Sequence, residues 1–102
     1  MSKIKFSDLK NYFGQEIVLE GFVDRIRDLQ YVQFLVLRDR TGKVQVTIEK
    51  NDDNKELNEI VSSLTLESTV TVTGKLLESP KVKLNGMEVI PTSIVVTSKS
   101  DN

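Results

Sequence analysis

The side chains that could do chemistry in this chain are an aromatic ring, an amide and two guanidinium groups, all between residues 25 and 45. They belong to Phe34, Gln45, Arg25 and Arg27. An aromatic ring is a stacking platform worth about 1–3 kcal/mol per unstacked nucleobase. An amide can donate to and accept from a base edge, and arginine offers a forked donor to phosphate. These residue types favour binding of single-stranded nucleic acid.

The residue types that the chain lacks exclude several other kinds of chemistry. It has 102 residues, with no cysteine and no histidine. Disulfides, thiolate or imidazole metal ligands, Cys or His nucleophiles and His general bases are therefore excluded. A chain of this length builds one small core without a deep enzyme cleft beside it. We expect a single domain over 1–102 with no catalytic residue, metal, cofactor or small-molecule substrate.

Charge is distributed unevenly along the chain, although the net charge is only -1. Residues 21–50 hold six basic and four acidic side chains, a net of +2. Residues 51–67 hold one basic and five acidic side chains, a net of -4. A polyanion would be attracted to the first region and repelled by the second.

No apolar run approaches the roughly 20 residues that span a bilayer. The segment 1–6 also lacks the apolar stretch of a signal peptide. The absence of cysteine fits a reducing compartment. We therefore expect a cytoplasmic protein with no membrane partner.

The elements that must position Phe34 and Gln45 are two strands of a hairpin. The segments 31–38 and 43–49 alternate in hydropathy, and Asp39–Gly42 between them is a turn, with glycine suited to positive φ. The inward parity of Leu35 and Leu37 leaves Phe34, Val36 and Arg38 outward on the first strand. On the second strand the outward residues are Lys43, Gln45, Thr47 and Glu49. If Arg38 pairs with Lys43, Val36 lies opposite Gln45 and Phe34 becomes its diagonal neighbour.

The remaining pattern predicts an all-β fold with short helices. A long strand over 16–28 contains Gly21, which marks a bulge or bend that would let it serve both halves of a barrel. Further strands cover 69–77 and 87–97, with a loop over 79–86. Helices cover 7–14, capped by Ser7 and closed by Gly14, and 54–64, with N-cap candidates Asp52, Asp53 and Asn54. This order matches a five-stranded OB-fold Greek-key barrel, with one helix at the N-terminus (1–14) and another between strands 3 and 4. Some other small α+β barrel is the alternative.

Each proposed binding side chain also has a simpler interpretation. Phe34 could be covered by the N-terminal helix or a partner, and Gln45 could be only solvated. Arg25 and Arg27 could only balance Asp24 and Asp28. The coincidence of these residues on one face shifts the balance toward binding.

Two ordered runs resemble a known family. Residues 21–29 read GFVDRIRDL and residues 34–46 read FLVLRDRTGKVQV. They resemble the N-terminal OB-fold anticodon-binding domain of class II aspartyl- and asparaginyl-tRNA synthetases, and the segments 79–81, 86–89 and 94–96 resemble the end of that domain. The resemblance implies that Phe34 stacks on the central anticodon uridine and that Gln45 reads its edge. It also implies that Arg27, with Arg25 near it, contacts the anticodon loop, and that Lys81 approaches the third base.

The chain departs from the family pattern in three places. Phe22 replaces the usual tryptophan, a mild change if it packs in the core. Gln30 and Tyr31 replace a glycine-containing turn. Asp24 places an acid near the RNA surface, where it could repel phosphate or accept from a base.

The leading hypothesis is binding of the tRNA anticodon loop, of the Asp or Asn type with central U, and less readily of the Lys type. The resemblance implies that the catalytic domain of the parent ligase would follow Asn102, with 98–102 as the start of a hinge or a frayed tail. The resemblance favours a domain cut from a synthetase over a stand-alone relative. It leaves open whether the chain forms a homodimer. The alternatives are an OB-fold that docks a protein through Phe34 and Val36, and a small nuclease, which the lack of an acidic cluster and of histidine disfavours.

Overall fold

The computed structural model describes residues 4–98. The bounds of its five strands are β1 (Glu16–Asp28), β2 (Val32–Arg38), β3 (Lys43–Glu49), β4 (Thr69–Glu78) and β5 (Met87–Ser98). A 3₁₀ helix covers Phe6–Asn11, and a 3₁₀ turn at Asp52–Asn54 leads into α1 (Lys55–Ser63) between β3 and β4. The tail residues 99–102, predicted to fray or to begin a hinge, lie outside the described range. No helix within residues 4–98 is long and apolar enough to span a bilayer.

The strands close into a barrel in the order β1-β2-β3-β5-β4. All neighbouring pairs are antiparallel except β3 and β5, which pair in parallel. The long strand β1 pairs with β4 over residues 16–22 and with β2 over residues 22–28. The prediction of a five-stranded OB-fold barrel with a shared first strand is confirmed.

The core consists of inward-facing aliphatic side chains from every strand. Leu35, Leu37, Val44 and Val46 are fully buried, as the alternation in the hairpin predicted. Burial of each such side chain contributes about 1.5–3 kcal/mol. The helix α1 closes one end of the barrel and buries Leu57 and Val61. The core parity therefore fixes which side chains of β2 and β3 face outward.

Gly21 is required by a close approach to its neighbours. A Cβ atom there would lie 2.9 Å from the carbonyl oxygen of Arg38 and 2.9 Å from the ring of Phe6. The bulge predicted near this glycine lies instead between Val23 and Arg25. Gly21 thus gives the aromatic side chain of the N-terminal helix room to pack on β1.

The first helix differs from its prediction in type, bounds and cap. Ser7 is not its N-cap: the cap position is Lys5, without a side-chain hydrogen bond. The amide of Phe6 donates instead to Oδ2 of Asp39 at 3.0 Å, and the amide of Ser7 donates to Oγ1 of Thr41 at 3.0 Å. The β2–β3 turn therefore caps the helix from more than 30 residues away. Gly14 has the predicted left-handed conformation, with φ +83°, but it does not close the helix: the C-cap position is Tyr12, and the amide of Gly14 donates to the carbonyl of Leu76.

The prediction of positive φ at Gly42 was wrong. Asp39 closes this turn by accepting from the amides of Thr41 and Gly42 at 2.7 and 3.0 Å. Of the three N-cap candidates for the second helix, Asn54 holds the N-cap position of α1, but its side chain makes no capping hydrogen bond. The 3₁₀ turn that leads into this helix is capped by Asn51, whose Oδ1 accepts from the amide of Asn54 at 3.0 Å.

The hydrogen bonds to Asp39 predict acid-sensitive stability. Burial acts to raise the pKa of Asp39, but hydrogen bonds from Phe6, Thr41 and Gly42 outweigh it, and the pKa falls below its ordinary 3.8. This stabilisation is complete above the unfolded pKa and is lost as pH falls through the folded pKa.

Asp39→Ala should lower the free energy of unfolding at pH 7 by about 0.5–2 kcal/mol. The stability of Asp39→Ala should also fall less than that of the wild type between pH 4 and pH 2, which urea unfolding measures. The control is Asp8→Ala, which removes an exposed aspartate of the N-terminal helix itself. An equal loss of stability in acid for all three proteins would contradict the role of Asp39.

Candidate nucleic-acid interface

The five predicted site residues line a single groove of about 760 Å³ on the outer face of the barrel. Strands β1, β2 and β3 form its floor, and the loop between β4 and β5 forms one wall. Its lining residues are Asp24, Arg25, Arg27, Phe34, Val36, Lys43, Gln45, Ser79, Lys81, Val82, Lys83, Leu84 and Glu88. The groove combines apolar, amide and cationic side chains.

The hairpin register sets the spacing of the aromatic ring and the amide. Arg38 pairs with Lys43 and Val36 pairs with Gln45, so the assumed register is confirmed. Phe34 lies opposite Thr47 and is the diagonal neighbour of Gln45. Phe34, Val36 and Gln45 are half-buried. The ring and the amide therefore sit side by side on one surface that solvent reaches.

A β-bulge places the two arginines on this face. Val23 pairs with Leu37, whereas Arg25 pairs with Val36, so Asp24 is the extra residue of β1. Strict alternation from the buried Val23 would have turned residues 25 and 27 inward. The bulge reverses that parity, and Arg25 and Arg27 become exposed cross-strand partners of Val36 and Phe34.

Arg27 rests on the ring of Phe34. Its guanidinium carbon lies 5.7 Å from the ring centroid, within the range of a cation–π interaction. Among the described residues, neither Arg25 nor Arg27 forms a salt bridge. Their charges are therefore available to a phosphate.

The acids that the arginines could have balanced have other partners. Oδ1 of Asp24 lies 3.1 Å from Nε of Arg38, and its Oδ2 lies 3.2 Å from Nζ of Lys43. Hydrogen bonding from Lys43 is the main reason that the pKa of Asp24 is lowered, with burial opposing it and Arg38 adding to it. Asp28 pairs with Lys50 at 2.6 Å, which lowers the pKa of that carboxyl. The charge-balance interpretation of Arg25 and Arg27 was wrong.

An ion-pair chain neutralises the acid in the groove. Arg38 holds Asp24 on one side and Glu67 at 2.6 Å on the other, which raises the pKa of the guanidinium. Asp24 in turn anchors Lys43 at the groove floor. Across the lining residues, five basic side chains face two acidic ones, although the whole chain has a net charge of -1. The groove is therefore a local cationic site that attracts a polyanion.

Phe22 is not a core residue. Its side chain is 43% exposed, and the guanidinium carbon of its cross-strand partner Arg38 lies 5.3 Å from the ring centroid. Core packing was the condition under which the replacement of tryptophan by Phe22 would be mild, and that condition is not met. Its outward parity follows from the buried neighbours Gly21 and Val23.

Several groove residues were not predicted. Lys83 and Leu84 lie in the same loop as Lys81 and also line the groove. The alternation of lysines in that loop could have predicted that Lys83 faces the groove together with Lys81. Glu88 was not singled out as a site residue, but the parallel pairing of β3 with β5 places it in register with Gln45. No local pattern reveals a pairing between strands so far apart in sequence. Within residues 4–98, no three His, Cys, Asp or Glu side chains converge to hold a metal ion.

The barrel and its cationic groove define an OB-fold of the nucleic-acid-binding class. The sequence profile of the tRNA anticodon family, described as an OB-fold nucleic acid binding domain, matches residues 17–97, and the chain belongs to this family.

Similar proteins include aspartate–tRNA(Asp/Asn) ligases and an asparaginyl-tRNA synthetase. The chain is 46% identical over 88 residues to the aspartate–tRNA(Asp/Asn) ligase of Methanopyrus kandleri, covering 86% of this chain and 20% of that protein. The aspartate–tRNA(Asp/Asn) ligase of Haloquadratum walsbyi is 39% identical over 88 residues, which again cover 86% of this chain and 20% of that protein. The structure of asparaginyl-tRNA synthetase from Pyrococcus horikoshii superimposes with a TM-score of 0.86 at 27% identity, over 98% of this chain and 23% of that one. The chain spans about a fifth of the length of the curated relatives it matches.

Proposed function

We propose that this chain binds the anticodon loop of a tRNA of the Asp or Asn type, with uridine as its central base. It would serve as the anticodon-recognition domain of an aspartyl- or asparaginyl-tRNA synthetase, or of a stand-alone relative. The proposal depends on one observation, which is that Phe34, Gln45 and Arg27 line the same cationic groove. Ligase activity would belong to the part of the relatives that this chain does not match.

Each groove residue has a distinct role in this proposal. The central base stacks on Phe34, and the amide of Gln45 pairs with its edge. Arg27, which covers the ring in the free protein, turns to a backbone phosphate when the base takes its place. Arg25 adds a second phosphate contact, and Lys81 approaches the third base from the loop wall. The ion pair with Asp24 keeps Lys43 beside the RNA without leaving an uncompensated acid there.

An NMR titration with two RNAs tests the proposal. The first RNA is a stem-loop of about 17 nucleotides with the anticodon GUC, and the second carries A in place of the central U. We expect shifts of Phe34, Gln45 and Arg27 with the first RNA only. Equal shifts with both RNAs would indicate that the protein binds RNA through charge and does not read the central base. No shift with either would remove the RNA proposal and favour protein docking on the same face.

Gln45 carries a separate prediction about base selection. Gln45→Leu keeps the approximate size of the side chain but removes its donor and acceptor. The dissociation constant for the GUC stem-loop should rise by about 3- to 10-fold, the effect of one ordinary hydrogen bond. The salt dependence of this dissociation constant should not change, because the substitution alters no charge. Fluorescence anisotropy at two salt concentrations measures both, with the exposed, remote Gln15→Leu as control. Unchanged affinity in Gln45→Leu would remove this residue from the site.

A further inference from the structure

The β4–β5 loop (79–86), which forms one wall of the groove, closes on itself through its own backbone. The amide of Ser79 donates to the carbonyl of Gly86 at 2.8 Å, and the amides of Val82 and Gly86 donate to the carbonyls of Ser79 and Val82 at 3.0 and 3.2 Å. All three bonds lie within the loop. They fix its shape but do not fix its position over the groove floor.

Asn85 attaches this loop to the floor. Its Nδ2 donates to the backbone carbonyl of Lys43, the first residue of β3, at 2.8 Å. Within residues 4–98, this is the one side-chain hydrogen bond between the loop and the rest of the protein. Asn85 has φ +60°, a left-handed conformation that asparagine adopts more readily than most residues. Both the backbone conformation and the donor therefore suit asparagine at this position.

The position of the loop decides where two cations of the groove lie. Lys81 and Lys83 belong to this loop and line the groove. Both are exposed, and among the described residues neither forms a salt bridge. Asn85 does not itself line the groove, whereas its partner Lys43 does. Asn85 can therefore act on a ligand in the groove only through the position of the loop.

We propose that Asn85 is a positioning residue that holds the β4–β5 loop against β3, so that Lys81 and Lys83 face the phosphates of RNA bound in the groove. The inference rests on the proposed function of the groove. A loop released from β3 would hold its lysines in place for only part of the time, and the apparent affinity for RNA would fall by that fraction. One ordinary hydrogen bond shifts such an equilibrium by about 3- to 10-fold. Asn85 thus contributes to RNA affinity without touching the RNA.

The binding test starts from Asn85→Gly, which permits the same positive φ but removes the donor. The dissociation constant for the GUC stem-loop should rise by about 3- to 10-fold. The dissociation constant of this variant should also depend less on salt, because fewer lysines meet the phosphates. The combined substitution Lys81→Met and Lys83→Met should weaken binding less in the Asn85→Gly protein than in the wild type, because the released loop has already withdrawn both lysines.

Asn54→Gly is the matched control. The side-chain amide of Asn54 donates to the carbonyl of Glu49 at 2.9 Å, so this variant loses the same kind of bond at the opposite end of β3, away from the groove. Its dissociation constant and salt dependence should equal those of the wild type. An unchanged dissociation constant in Asn85→Gly would overturn the inference. Independent losses from the Asn85 and lysine substitutions, or no loss from the two lysine substitutions in the wild type, would also overturn it.

A measurement on the free protein separates this inference from the proposed function. Heteronuclear NOE values of the backbone amides of 81–85 report fast motion of the loop, with the amides of the buried Val44 and Val46 as internal reference. Both Asn85→Gly and Asn85→Asp should increase this motion. Aspartate tolerates positive φ but has no hydrogen to donate when ionised, so this variant separates the lost bond from added backbone freedom.

The two measurements fail in different ways. If the wild type does not bind the stem-loop, the proposed function fails, while the amides of the loop still report whether Asn85 holds it against β3. A loop that is as rigid in Asn85→Asp as in the wild type overturns the positioning role of Asn85, whatever the RNA affinity.

Discussion

Phe34→Ala should weaken binding of the GUC stem-loop by about 1–3 kcal/mol, or roughly 5- to 150-fold in dissociation constant. The substitution removes the stacking platform of the groove and the ring on which Arg27 rests. Loss of a stacking platform should weaken binding of every base at the central position, whereas loss of the Gln45 amide should mainly reduce selectivity. Isothermal titration with GUC and GAC stem-loops distinguishes these two effects.

The fold should tolerate Phe34→Ala because the ring lies on the outer face of β2, outside the buried core. Thermal unfolding of the variant should remain cooperative, which separates a lost contact from a lost structure. Tyr31→Ala is the matched control, since this aromatic side chain is 75% exposed and lies outside the groove. If the Phe34 and Tyr31 variants bind alike, the stacking role is refuted.

Gly74→Ala should lower the free energy of unfolding by about 2–4 kcal/mol, the largest stability effect that we expect. A Cβ atom at this position would lie 2.4 Å from the carbonyl oxygen of Ile90 and 2.7 Å from Cα of Pro91. Both neighbours are backbone atoms of β5, so no side-chain rotation can relieve the clash. Gly74 pairs with Pro91 at an irregularity of the β4–β5 ladder, where the two backbones approach closely.

Gly42→Ala is the control for this substitution, because a Cβ atom there would make only ordinary contact with Phe6 at 3.8 Å. Urea unfolding followed by circular dichroism compares the two variants with the wild type. The strands β4 and β5 also carry the loop that forms the groove wall, so Gly74→Ala should weaken RNA binding together with stability. A Gly74→Ala protein as stable as Gly42→Ala would show that β5 can shift without cost.

The sequence by itself determined the hairpin and its binding face. Alternation of Leu35 and Leu37 against Phe34 fixes which side chains leave the core, because the side-chain period of a strand is two. The Asp39–Gly42 turn then fixes the register, which brings Phe34 beside Gln45. Both properties depend on residues close together in the chain. Local pattern was therefore sufficient to place the centre of the candidate site.

Tertiary structure alone decided the rim of the groove and the capping of the first helix. Arg25 and Arg27 face the groove only because a bulge at Asp24 reverses the parity of β1. Asp39 caps the N-terminal helix, and Glu88 reaches the groove, through contacts more than 30 residues apart in sequence. The bulge belongs to the pairing of β1 with β2, whereas the cap and the Glu88 contact arise only when distant segments become neighbours as the barrel closes. No periodicity within one segment encodes that closure, because its stabilising contacts exist only after every strand has taken its place.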